Sequence, residues 1–164
     1  MASVSYPQRK PRRLPGYDYR ANGAYFVTIC TKERVSWFRK NAITRIFMDT
    51  WASLPSRIEG VRLDALVVMP DHIHFVLWMT HGQTSNSSGS LGEAIRQFKA
   101  VVARRVRLAG FTAFAWQRNY YEHIIRDDDD LRRVREYIRN NPAIHETDRD
   151  DTNAKIGETE RRGR

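Results

Sequence analysis

The amino-acid sequence predicts an α+β fold: one antiparallel sheet with helices packed on it. Three observations lead there. β-Branched and aromatic runs alternate with stretches of helical periodicity in the order β, α, β, β, α, β, α. Two of the apolar runs flank a turn at Pro70-Asp71, which makes them an antiparallel hairpin. Finally, 164 residues with 41% hydrophobic content and eighteen Phe, Trp and Tyr side chains suit one core rather than two.

Residues 1 to 20 hold three prolines, five Lys/Arg and little periodicity, so they read as a basic arm with little structure of its own. Ala24 to Thr31 has the composition of a first strand. From Ala42 to Leu54, Ile43, Ile46, Phe47, Thr50 and Leu54 recur at helical spacing, and Pro55 is expected to close that helix. Val61 to Met69 and Ile73 to Met79 form the hairpin. The Ser-, Gly- and Asn-rich stretch His81 to Gly89 reads as a flexible loop. Ser90-Leu-Gly-Glu93 then has capping-box spacing and opens a helix whose buried stripe is Ile95, Phe98, Val102 and Val106. Asn119 to Arg126 suggests the fourth strand. Asp127 to Asp130 suits the positive end of a last helix, with Leu131, Val134 and Ile138 as its apolar stripe and Asn140-Asn141-Pro142 as its end. The main domain is expected over 21 to 145, and the polar stretch 146 to 164 is expected to be a disordered tail.

The net charge of +9 is concentrated in two blocks, +7 over residues 1 to 40 and +5 over 93 to 126, with near-neutral sequence around them. Brought together by folding, those blocks would form the electropositive surface a polyanion binder needs. The lone Cys30 cannot form an internal disulfide, no stretch of about 18 apolar residues is present, and no secretory signal is recognisable. A reducing, cytoplasmic setting without membrane contact is expected.

The chemistry concentrates in Met69-Pro-Asp-His-Ile-His-Phe-Val-Leu-Trp-Met79. On a strand, His72 and His74 share one face while Ile73, Phe75, Leu77 and Met79 take the core face. Two imidazoles about 7 Å apart along a strand suit a divalent cation, although such a pair also occurs as a surface or hydrogen-bonded pair. On the last helix, Tyr137 and Asn141 are four residues apart and emerge on one face, so a nucleophile and a ligand can converge. A phenol, with an ordinary pKa of about 10, needs a polarised phosphate to be a serviceable nucleophile. For Asn141, an Asn before a proline is a common helix end, and local evidence places capping above ligation. Tyr120 and Tyr121 are alternative nucleophiles by residue type, with packing beside Trp116 as their other reading. His123 is open between an accessory site role and a structural hydrogen bond.

Together these segments resemble the REP-associated tyrosine transposases, within the single-tyrosine HUH class of insertion-sequence transposases. The resemblance runs from about Arg13 to Pro142: Leu14-Pro-Gly-Tyr-Asp-Tyr19, the strand Ala24 to Thr31, Met69-Pro-Asp-His-Ile-His74, Phe98-Lys99, Trp116-Gln117-Arg118, Tyr121-Glu-His123 and Tyr137-Ile-Arg-Asn-Asn-Pro142. It implies a ferredoxin-like α+β fold and cleavage of single-stranded DNA near imperfect hairpins of repetitive palindromic elements. It implies Mg²⁺ or Mn²⁺ held by His72, His74 and Asn141, attack by Tyr137, and a 5′-phosphotyrosine adduct whose bond energy serves rejoining. Arg12, Arg13, Arg96, Lys99, Arg104 and Arg118 would track phosphates, and Tyr17, Tyr19 and Trp116 would stack on unpaired bases. The chain would be nucleoid-associated, as a monomer or homodimer. Its rivals are a noncatalytic hairpin-binding regulator of the same fold and a hydrolytic metal nuclease.

Overall fold

The computed structural model describes residues 14–80 and 89–141. Arg12, Arg13, most of the Ser/Gly-rich loop, Pro142 and the polar tail lie outside the described residues. Four strands, β1 (Gly23–Cys30), β2 (Val61–Val68), β3 (His72–Met79) and β4 (Tyr121–Ile125), form one sheet in the order β2-β3-β1-β4 with all neighbours antiparallel. With helices α1 (Asn41–Ala52) and α3 (Leu91–Leu108) as the two crossovers, this is the ferredoxin-like β-α-β-β-α-β arrangement. A further helix, α4, spans 128–141.

The sheet is covered on both sides. On one, Tyr25, Val27 and Ile29 of β1 and Ile73, Phe75, Leu77 and Met79 of β3 meet Ile43, Phe47 and Trp51 of α1 and Ile95, Phe98, Val102 and Val106 of α3. On the other, Ala24, Phe26, Val67 and Val76 meet Leu131, Val134 and Ile138 of α4. β1 therefore buries both faces, which is why Ala24 to Ile29 reads as a continuous apolar run broken only by Thr28.

The capping box forms as expected: Glu93 N donates to Ser90 Oγ at 3.3 Å and Ser90 N to Glu93 Oε2 at 2.8 Å. α4 opens on Asp127, whose Oδ1 accepts from Asp130 N at 2.8 Å. Two expectations need correction. Pro55 does not close the first helix; α1 ends at Ala52, and Pro55 sits in the first turn of a separate short helix, α2 (Leu54–Arg57), where a missing N–H costs nothing. The fourth strand begins at Tyr121 rather than Asn119, because the chain before it pairs elsewhere: Trp116 bridges to Thr31 and Gln117 N donates to Cys30 O. The N-terminal segment also enters the fold earlier than its composition suggests. Tyr17 and Tyr19 pack against the main core, with the Tyr17 and Tyr25 hydroxyls 3.1 Å apart and Leu91 N donating to Tyr19 O.

Candidate active site

The β3 register determines the site. His74 lies opposite Thr28 and His72 opposite Cys30 on β1, and the alternation of the strand turns both imidazoles toward α4. Each ring is anchored through Nδ1. His72 Nδ1 lies 2.5 Å from Asp71 Oδ1 and His74 Nδ1 lies 2.7 Å from Thr28 Oγ1. Asp71 is in turn held by Arg34, whose Nε is 2.9 Å from Asp71 Oδ2. Arg34 reaches it from a tight turn in which Glu33 and Arg34 both adopt left-handed backbone, at φ 57° and 56°, a conformation costing about 1 kcal/mol per residue.

With Nδ1–H of His72 given to Asp71, its Nε2 carries the lone pair. That atom faces His74 Nε2 at 3.1 Å, so a proton on His74 or a shared cation must lie between the two nitrogens. A carboxylate on Nδ1, as Asp71 is on His72, is an arrangement by which imidazoles are oriented as metal ligands; His74 has a hydroxyl in that place. Burial pushes the His74 pKa down to about 3, helped by His72 and Arg34, and burial also lowers that of His72 against the pull of Asp71. Both rings are neutral near pH 7, as ligation requires. Asp71 stays below the usual carboxylate range: burial pushes it up, but His72 and Arg34 outweigh that. Among the described residues, no three His, Cys, Asp or Glu side chains cluster as a metal centre. A cation held by the two histidines would need further oxygen donors.

Tyr137 projects from α4 onto this pair. Its ring lies 5.4 Å from that of His74 and 6.0 Å, edge-on, from Phe26, which itself stacks on His74 at 5.6 Å. Asn141, one turn further on, donates from Nδ2 to Tyr137 O at 2.8 Å. Its helix-end bond is thus observed, and that bond does not use Oδ1. Tyr121 packs in the α4-side cluster and Tyr120 against the main core. His123 makes a structural hydrogen bond, Nε2 to Asp130 Oδ2 at 2.7 Å, which ties β4 to the start of α4.

The basic residues are distributed unevenly. Arg96, Arg104 and Arg118 are exposed. Lys99 is half-buried and donates to Gln117 O and Arg118 O, while Trp116 packs on the core and donates to Lys99 O at 3.0 Å. Lys99 and Trp116 thus hold the 116–118 segment in place. Arg96, Lys99, Arg118, Tyr120 and Glu122 line a cavity of about 400 Å³ on the α3 side of β4, across the sheet from the histidines. Asp64, Trp78 and Arg135, which sequence reasoning missed, meet beneath α4. Their one sequence signal is an acidic residue inside the apolar run Val61 to Met69.

A four-stranded α+β domain presenting paired imidazoles beneath a helix-borne tyrosine is the class of protein that fold and site define. Residues 20–141 match the family described as "Transposase IS200 like", and the chain belongs to that family of DNA-processing enzymes. It is 33% identical to a Haemophilus influenzae protein without an assigned function, over 85% of this chain and 91% of that one. It is 28% identical to another H. influenzae protein named as a REP-associated tyrosine transposase, over 78% and 74% of the two chains. The fold is shared with a solved REP-associated tyrosine transposase bound to a REP hairpin, with a TM-score of 0.59 and 21% identity, over 85% of this chain and 74% of that one. Among the described residues no helix is long and apolar enough to cross a membrane.

Proposed function

We propose that the protein is a metal-dependent single-tyrosine transposase that cuts and rejoins single-stranded DNA beside a hairpin. The observation that carries this reading is the placement of the Tyr137 ring against His74, with His72 Nε2 and His74 Nε2 turned toward each other on the same face. The hairpin is suggested by the DNA bound to the solved structural relative.

Tyr137 Oη attacks the scissile phosphorus and loses its proton to solvent. The bond from phosphorus to the 3′ oxygen breaks, and that oxygen leaves with the electron pair and takes up a proton. A 5′-phosphotyrosine linkage and a free 3′-hydroxyl result, and reversal on a second 3′-hydroxyl rejoins the strand. His72 and His74, with Asn141 Oδ1, would hold Mg²⁺ or Mn²⁺. When bound, the cation would polarise the phosphate. Asp71 and Thr28 keep the imidazoles oriented, and Phe26 walls the phenol on its inner side. The exposed Arg96, Arg104 and Arg118 contribute to phosphate tracking.

The test is incubation with single-stranded hairpins and Mn²⁺, followed by a denaturing gel. Wild type should yield a protein–DNA adduct. Tyr137→Phe should abolish it with hairpin affinity unchanged, since only a hydroxyl is removed. An adduct persisting in that variant and mapping to Tyr120 or Tyr121 would overturn the assignment. Cleavage without any adduct would favour a hydrolytic nuclease, and binding without cleavage a regulator.

A further inference from the structure

The sheet edge beneath α4 carries a charged cluster that the chemistry above does not use. β2 loses register with β3 between Leu63 and Leu66, a bulge that re-aims the intervening side chains. Asp64, in that bulge, accepts three hydrogen bonds: from Arg135 Nε at 2.9 Å, Arg135 Nη2 at 2.6 Å and Trp78 Nε1 at 2.8 Å. The Arg135 guanidinium therefore engages the carboxylate as a two-pronged fork. Arg62 lies over the Trp78 ring, 4.9 Å from its centroid.

This cluster stands two residues from Tyr137. Two residues are about 200° of helical rotation, so Arg135 and Tyr137 flank opposite sides of the buried ridge Leu131, Val134 and Ile138. That ridge is narrow. Beside it, along α4 and β2, runs a shallow, solvent-open groove lined by Asp64, Ala65, Leu66, Arg135, Ile138 and Arg139. On that side Ala65 and Trp78 pack on the ridge only partly buried, and the Asp64–Arg135 fork adds a directed contact between α4 and β2. Roll about the ridge moves Tyr137 toward or away from His74.

We propose that Asp64 is a positioning residue: its forked bond to Arg135, braced by Trp78, sets the roll of α4 and thereby the approach of Tyr137 to the scissile phosphate. This rests on the assignment of Tyr137 as nucleophile. Asp64 and Arg135 touch no reacting atom. Their effect should fall on the rate of the covalent step and leave DNA affinity alone.

The experiment measures single-turnover adduct formation at saturating single-stranded hairpin DNA with Mn²⁺, well below the melting temperature, alongside hairpin affinity and hydrogen exchange. Asp64→Asn, which keeps the shape and loses the charge of the fork, should slow adduct formation about tenfold or more. Affinity should stay within about twofold, and exchange should rise selectively across 128–141. Arg135→Lys, which keeps the charge and loses the fork, should act in the same direction and serves alone if Asp64→Asn fails to fold. Combining Asp64→Asn with Arg135→Lys should slow the step no further than the stronger single variant, because both remove one contact. Wild-type rates in the single variants, or effects that multiply in the double, would overturn the positioning role of Asp64 while leaving Tyr137 as nucleophile. Absence of any wild-type adduct would overturn both.

Discussion

The two faces of the sheet are built from different materials. Among the described residues, the face under α1 and α3 is closed by twenty-one buried side chains, including Phe47, Phe75, Phe98 and Trp51 in mutual ring contact. The face under α4 has seven, ringed by partly buried side chains such as Met69, Trp78, Tyr121 and Tyr137, and it adds polar contacts: His123 to Asp130 at one end and Asp64 to Arg135 along one side. Both faces use the same strands, alternate residues of β1 and β3 serving each. The apolar face supplies non-directional stabilisation, whereas the polar one supplies directed contacts that hold a few groups at set positions. The cost of the second face is desolvation, visible in the low pKa of His74. One face can thus carry the fold while the other holds a site.

The strongest break of this comparison would come from the metal. Chelator-treated protein should lose adduct formation entirely and regain it with Mn²⁺, with little change in melting temperature, because the apolar face does not depend on the site. His72→Ala should behave as the chelator does and retain a native circular dichroism spectrum. Full-rate cleavage by either preparation would remove the metal from the reading.

The next largest effect lies on the opposite face. Phe98→Ala opens a cavity among Phe47, Trp51 and Phe75 and should cost about 3–5 kcal/mol in denaturant unfolding. Val134→Ala on the α4 side removes two methyl groups from the smaller cluster and should cost clearly less. Equal losses would show that both faces contribute alike to the core.

The smallest effect is an acid-side loss of stability. The Arg135 hydrogen bonds, against burial, hold the Asp64 carboxyl below the ordinary carboxylate range, with Trp78 and the Ala65 amide assisting. A depressed folded pKa gives stability that is fully present above the unfolded value of about 3.9 and lost as pH falls through the folded one. Asp64→Asn should therefore flatten the decline in stability below about pH 4. An unaltered acid limb would mean that the fork is as strong in the unfolded chain.

Much of this molecule is written in its residue order. Element types and the hairpin follow from periodicity and turn chemistry, and Ser90 to Glu93 declares the start of α3 because capping is local. The shared face of His72 and His74 follows from strand alternation alone. Proximity between distant segments is a different matter. That α4 lies across the β3 face opposite α1 and α3, that Thr28 and Asp71 anchor the two imidazoles, and that Asp64 meets Arg135 across 71 residues are consequences of sheet order and a bulge. The same holds for Lys99 and Trp116, whose side chains are spent on backbone carbonyls that come near only when the 116–118 segment pairs beside β1. Local rules see neighbours along the chain, whereas these contacts arise where hydrophobic burial on both faces of one sheet forces remote polar groups together and obliges each to find a partner.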